Sequence, residues 1–251
     1  VYLDGLLSLA AGGNSDLERA KKNFERTLGM VGAKDLLAAD LESVEKRYGT
    51  GRVPPTVYVV IENGMAPVRR EISFFLPIIA PVPRKGGRVK VYGQFVSASF
   101  PRLEFQPAPY RHFDLRAGGE SLGRTQLLCS MDAVIGREFK HELPIIFART
   151  LAATTARALA RYRAAKKEGI WADFGMLLYD VAVARADLRT WLTLPKEFQF
   201  ARFPAPARKL DIFADNGQKI VTLDLPQAQM TLVYVKTPSR GVVSVQVIKL
   251  R

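Results

Sequence analysis

The sequence predicts an α+β protein in which a helical segment precedes a β-rich domain, and three observations carry that prediction. Apolar residues recur at helical spacing up to Tyr48. After the breaker cluster GTGRVPP (49–55) the period changes to that of short strands separated by turn signals. A second helical stretch opens near Asp132 and interrupts the strands before they resume after Trp191. The expected division is a helical segment over 1–50 and a β-rich domain over 56–251, sandwich-like or a twisted antiparallel sheet, with an α-helical hairpin inserted at about 131–190.

The first helix is read in YLDGLLSLAA and stops at Gly12-Gly13. The second follows the cap-forming residues Asn14, Ser15 and Asp16 and puts Leu17, Ala20, Phe24, Thr27 and Leu28 on one face. The third runs from Lys34 to Tyr48 and carries Leu36, Leu37, Leu41 and Val44. Two short helices and a third are the pattern of a helical repeat array, and Gly5, Ala20, Phe24 and Gly32 fall where a tetratricopeptide unit uses small and aromatic residues. A lone helical hairpin reads equally well. An array needs neighbours to cover its faces, and Val1 is not an initiator methionine, so the chain is expected to be a piece of a longer protein.

The strands come next. TVYVVIENG is a buried-type strand ending in Asn63-Gly64, a dipeptide that tolerates positive φ and signals a hairpin. The returning strand alternates Val68, Arg70, Ile72, Phe74 and Leu76. A further strand spans 88–100, and a second hairpin is expected around Gly118-Gly119. From Asp132, read as a helix cap, an apolar face continues past Pro144 to Gly169, and a partner helix over 170–188 presents Trp171, Phe174, Leu177, Leu178, Val181 and Leu188. Strands are then expected over 197–203, 209–213, 219–225, 230–235 and 242–250, with Asp215-Asn216-Gly217 as a turn. Between helix and strand, Leu188, Trp191, Leu194 and Pro195 are expected to form a seam. Trp191 is expected to be buried there, with Arg189 capping the helix or facing solvent.

Composition restricts the function classes. Hydrophobic residues make up 48% of the chain, too many for a disordered protein. No apolar run approaches the ~18 residues of a membrane span. The single cysteine, Cys129, rules out an internal disulfide and any multi-cysteine metal site. Neither histidine, His112 or His141, sits in a zinc-binding spacing, and no phosphate-cradling glycine loop occurs. No cofactor and no metal is therefore expected. A cysteine hydrolase built on Cys129 and His141 ranks third among the function classes, since a free cysteine at the end of an apolar strand is usually an inert buried side chain.

The formal net charge of +13 would attract anionic partners. It is spread along the chain. Its sharpest local expression is Arg84, Lys85, Arg88 and Lys90, near Tyr92 and Phe95. That stretch is a possible basic interaction surface and makes nucleic-acid binding the second reading. An anionic membrane surface would use the same charge.

Three stretches together, VYVVIENGMAPVRREISFFLPI, MDAVIGREFKHELPIIFART and ADLRTWLTLPKEFQFARFP, resemble a family of bacterial envelope proteins of unestablished function. Members of that family begin with a lipoprotein-type signal and a tetratricopeptide-like region. Their genes often lie beside lipoproteins related to the curli secretion channel. The most specific parts of the resemblance are Glu62-Asn63-Gly64 and the stretch from Arg189 to Lys196. It implies a lipid-anchored protein on the periplasmic side of the envelope. Such a protein would act as a non-enzymatic scaffold or assembly protein through contacts with other envelope proteins or lipoproteins. It brings no catalytic residue.

Overall fold

The computed structural model describes residues 1–31, 34–83, 89–168, 186–205 and 208–251. Helices and strands are both abundant, in mixed sheets, and the class is α+β. The chain forms two compact units: unit 1 comprises 1–66, 106–132 and 193–251, and unit 2 comprises 67–105 and 133–192.

Unit 1 begins with three helices, α1 (Tyr2–Ala11), α2 (Asn14–Leu28) and α3 (Lys34–Thr50). Helix α1 ends where Gly12 adopts a left-handed conformation at φ +74°. Its last carbonyls are covered from elsewhere in the fold. The Arg47 guanidinium, buried on α3, donates to the Leu9 and Ala10 carbonyls, and Arg251 reaches the Ala10 carbonyl at 3.3 Å. Gly5 lets α2 approach closely, since a Cβ there would stand 2.7 Å from a Phe24 ring carbon. No side chain caps α2; Asn14, Ser15 and Asp16 lie inside the helix, whose N-cap is Gly13.

Strand β1 (Thr56–Asn63) is the centre of the unit. It pairs parallel with β10 (Met230–Ser239) and antiparallel with β7 (Glu197–Pro204). Strands β11 (Val242–Lys249) and β6 (Gln126–Ser130) complete a five-stranded sheet of order β11-β10-β1-β7-β6. Strands β4 (Phe113–Ala117), β5 (Glu120–Arg124), β8 (Lys209–Ala214) and β9 (Lys219–Asp224) form a second sheet of order β5-β4-β8-β9. The period of two along β1 sorts the core. Tyr58 and Val60 join Leu6, Leu9, Phe24, Leu37, Val44 and Phe200 on the helical side. Val57, Val59 and Ile61 join Phe113, Leu115, Leu210 and Ile212 on the side of the second sheet. Unit 1 is thus three layers, helices over sheet over sheet, and β1 is buried on both faces.

Unit 2 is built from a long hairpin and a long helix. Strands β2 (Val68–Pro83) and β3 (Val89–Glu104), each of 16 residues, pair antiparallel from Val68↔Glu104 to Pro83↔Val89. Helix α4 (Met131–Glu168) starts at the end of unit 1 and runs 38 residues, continuing through Pro144. Within unit 2 the Phe100 and Phe147 rings lie 4.7 Å apart, and Arg69 sits over the Phe139 ring while bonding Glu142 at 2.7 Å.

Several expectations need correction. Asn63-Gly64 does not close a hairpin between β1 and β2. Both edges of β1 are taken by β7 and β10, so β2 pairs with β3 instead. The sheet is mixed rather than antiparallel, because β1 and β10 run in the same direction. The boundary at 49–55 does not separate two compact units, since α1–α3 bury their faces against the five-stranded sheet in a shared core. Asp132 lies within the first turn of α4 rather than capping it. The inserted segment includes the β2–β3 hairpin as well as helix. Its expected second helix falls mostly outside the described residues, and residues 186–191 are not helical.

The seam is corrected with it. Trp191 is 72% exposed and Leu188 39% exposed, while Leu194 is half-buried and Pro195 buried. Asp187 supplies the local reason. Its carboxylate accepts from the Arg189 backbone N–H at 3.1 Å and from the Arg189 guanidinium at 3.0 and 2.8 Å. That tight side-chain turn replaces the helical phase that would have carried Trp191 inward. Arg189 pairs with Asp187 and faces solvent, its side chain 91% exposed, which is one of the two expected placements.

Candidate functional site

Of the residues singled out, those at 62–64 and 194–196 come together at the end of β1, although the hairpin signalled by Asn63-Gly64 does not exist. Glu62 and Asn63 are the last residues of β1, and Glu197 opens β7 opposite Asn63. Asn63 is fully buried. Its side-chain amide donates to the Tyr110 carbonyl at 2.6 Å and to Glu197 Oε1 at 2.8 Å. Gln199 donates to the same Glu197 oxygen at 2.7 Å and to the Arg111 carbonyl at 3.0 Å. Thr125 continues the chain, donating to Gln199 Oε1 at 2.5 Å and accepting from the Phe113 N–H at 2.9 Å. Burial in low dielectric strengthens each of these bonds and raises the cost of losing any one.

Gly64 has φ +71°, and a Cβ there would lie 2.9 Å from Pro109 Cδ and 3.2 Å from Lys196 Cβ. Only glycine meets both conditions cheaply. Its N–H donates to the Thr237 carbonyl at 2.9 Å, and its carbonyl accepts from the Lys196 N–H at 3.2 Å. Beside it the Ala66 N–H bonds the Leu194 carbonyl at 3.0 Å. The Met131 N–H donates to the Lys196 carbonyl at 2.9 Å, and the Lys196 ammonium pairs with the Asp132 carboxylate. Glu62 accepts from the Tyr234 hydroxyl and has the Lys236 ammonium 3.4 Å away. Burial and the Glu62 charge push the Tyr234 hydroxyl above its ordinary range, so its proton stays in place as a donor.

The chain passes between units at 66/67, 105/106, 132/133 and 192/193. Within unit 1, the segments at the roots of all four crossings are tied to this network, through Gly64 and Ala66, through Pro109 and Tyr110, through Met131 and Asp132, and through Leu194 and Lys196. Every named side chain here holds a neighbouring strand or loop. The arrangement does the chemistry of a clasp.

No family model, no curated protein and no solved structure matches the chain.

Cys129, half-buried on β6, has its thiol pushed above the ordinary value by burial, which favours the unreactive protonated form. Cys129 belongs to unit 1 and His141 to unit 2. His112 stands 3.9 Å from Asp114. Arg84, Lys85 and Arg88 lie outside the described residues, and Lys90 is on β3. Among the described residues no cluster of His, Cys, Asp and Glu could hold a metal ion, and no helix is long and apolar enough to cross a membrane.

A second polar centre had no sequence signal. Asp40 on α3 is fully buried; Tyr2 donates to it at 2.9 Å, and the Arg202 guanidinium of β7 lies 3.2 Å from its other oxygen. Arg202 also donates to Ser43 at 3.0 Å and lies over the Tyr58 ring. The Asp40–Arg202 pair is close but poorly aligned for a hydrogen bond. Desolvation outweighs the attraction of Arg202 and raises the Asp40 carboxyl to about 7. Periodicity could not reveal it, because Asp40 occupies a helix position that reads as one polar residue among many.

Proposed function

We propose that the protein is a non-enzymatic cell-envelope scaffold or assembly protein, and that it works through protein–protein contacts made by unit 2. One observation carries the interaction part of this reading. Large aromatic side chains stand exposed on unit 2, namely Phe74, Phe75, Phe105, Phe147 and Trp191. Aromatic residues are the usual anchors of protein interfaces, where burying them supplies much of the binding free energy. The clasp of unit 1 supports the reading from the other side. Within unit 1 it ties together the four segments from which the chain leaves for unit 2 and returns. The resemblance carried by residues 57–78, 131–150 and 186–204 supports the envelope setting, lipid anchoring of the full-length protein on the periplasmic side, and other envelope proteins or lipoproteins as partners. The net charge of +13 favours partners with acidic faces.

The test is site-specific photo-crosslinking in the native host, with the crosslinker at Phe75 or Trp191 and, as a control, at exposed Met30 in unit 1. Discrete adducts with envelope proteins are expected from the two unit 2 positions and none from Met30. Equal labelling from all three positions, or adducts with cytosolic proteins, overturns the proposal.

A further inference from the structure

Strand β11 is an outer edge of the five-stranded sheet and pairs, among the described residues, with β10 alone. The other sheet edges of unit 1 are blunted. Strand β6 has five residues and a register shift against β7. Strand β5 carries Glu120, Arg124 and Gly123 at φ +124°, with a register shift against β4. Strand β9 is bounded by Lys219 and Asp224 and shifts register against β8. These are the devices by which sheets avoid pairing with further strands. Strand β11 carries only a single shift, confined to its start, between Lys236 and Ser239 of β10. Its eight residues, VVSVQVIK, contain no proline, no glycine and no charge before Lys249, and its register with β10 is regular from Thr231↔Lys249 to Lys236↔Ser244. Val242, Val247 and Ile248 are exposed on it, while Val243 and Val245 pack against the core beneath.

We infer that β11 pairs antiparallel with β11 of a second copy of this chain, about a two-fold axis at Val245, and joins two five-stranded sheets into one. The strand is complementary to itself in that register. Val242 faces Ile248, Val243 faces Val247, Ser244 faces Gln246 and Val245 faces its own counterpart. β-Branched residues thus oppose one another and polar residues oppose polar residues, the pairings that stabilise antiparallel ladders. Lys249 falls opposite Gly241, so no like charges meet across the axis. Such an isologous contact closes on itself and stops at two copies. Each copy carries a net charge of +13, so association strengthens as salt screens the repulsion between them. The inference does not depend on the envelope reading, nor on the partners of unit 2.

Sedimentation velocity of the whole chain over a concentration series, at about 0.15 M salt, tests it with two double variants at exposed positions of β11. Ser244→Lys with Gln246→Lys sets lysine against lysine twice across the axis and is expected to weaken the dimer by about tenfold or more. Ser244→Glu with Gln246→Lys sets opposite charges together twice and is expected to keep the dimer. Circular dichroism confirms that both are folded. A wild-type chain that stays monomeric at its highest soluble concentration overturns the inference. A dimer unaffected by the first double variant places the interface elsewhere, and loss of the dimer in both variants refutes the register. Each of these outcomes leaves the unit 2 reading to its own crosslinking test.

Discussion

Asn63 and Glu197, 134 residues apart in the sequence, are joined by a 2.8 Å hydrogen bond at the end of the central strand. Asn63→Ala removes that bond and the one to the carbonyl of buried Tyr110, while half-buried Glu197 keeps the donation from Gln199. It is expected to cost roughly 2–4 kcal/mol. Asn63→Asp is expected to cost more, because it places a second carboxylate against Glu197, and acidification to protonate one of the pair should recover part of the loss. Urea denaturation of both variants at neutral and mildly acidic pH checks this. An alanine variant as stable as wild type refutes the clasp.

Gly64→Ala meets two penalties at one position. The residue needs φ +71°, and the added methyl would press on Pro109 from 2.9 Å. A loss of roughly 2 kcal/mol or more is expected, against little change for Gly217→Ala beyond the backbone term, since nothing lies within 4 Å of that turn glycine. The difference between the two denaturation midpoints is the measurement.

Asp40 should make stability fall as pH rises. Its folded value of about 7 lies above the ordinary 3.8, so between those values the folded chain holds a proton that the unfolded chain has released. The Asp40 contribution is fully present below about 4 and is lost as pH rises toward 7, at about 1.4 kcal/mol per pH unit. Asp40→Asn should abolish that slope. Parallel pH profiles for variant and wild type would show that Asp40 does not titrate in this window.

Trp191→Ala should leave stability within about 0.5 kcal/mol of wild type, as for other exposed substitutions. The indole is 72% exposed. A loss of several kcal/mol on thermal or chemical denaturation would restore the buried seam.

Much of the fold was legible, because strands β7 to β11 are separated by turn signals such as Gly217 and β8 alternates in burial. The helical faces were legible too, and Leu17, Ala20 and Phe24 are buried as their spacing requires. Pairing was not legible. Asn63-Gly64 carries a local hairpin signal, yet local turn chemistry is silent about which distant strands occupy the edges of β1. The clasp was half visible. Glu62, Asn63, Gly64 and Lys196 stood out, but Gln199, Thr125 and Tyr110 join them only through tertiary contacts. Trp191 was misread because helical phase was carried across Asp187, whose side chain takes the Arg189 N–H that helical bonding would need.

The parallel pairing of β1 with β10 also sets the order in which the chain can fold. Glu62 and Tyr234, which meet across that pair, are 172 residues apart. On the ribosome, an apolar strand destined for burial on both faces must therefore wait for the chain to reach β10 before that neighbour arrives. Long-range closure of this kind slows folding and leaves sticky segments exposed meanwhile. Nascent chains halted before Met230 should consequently depend on chaperones, and a message truncated there should yield insoluble protein.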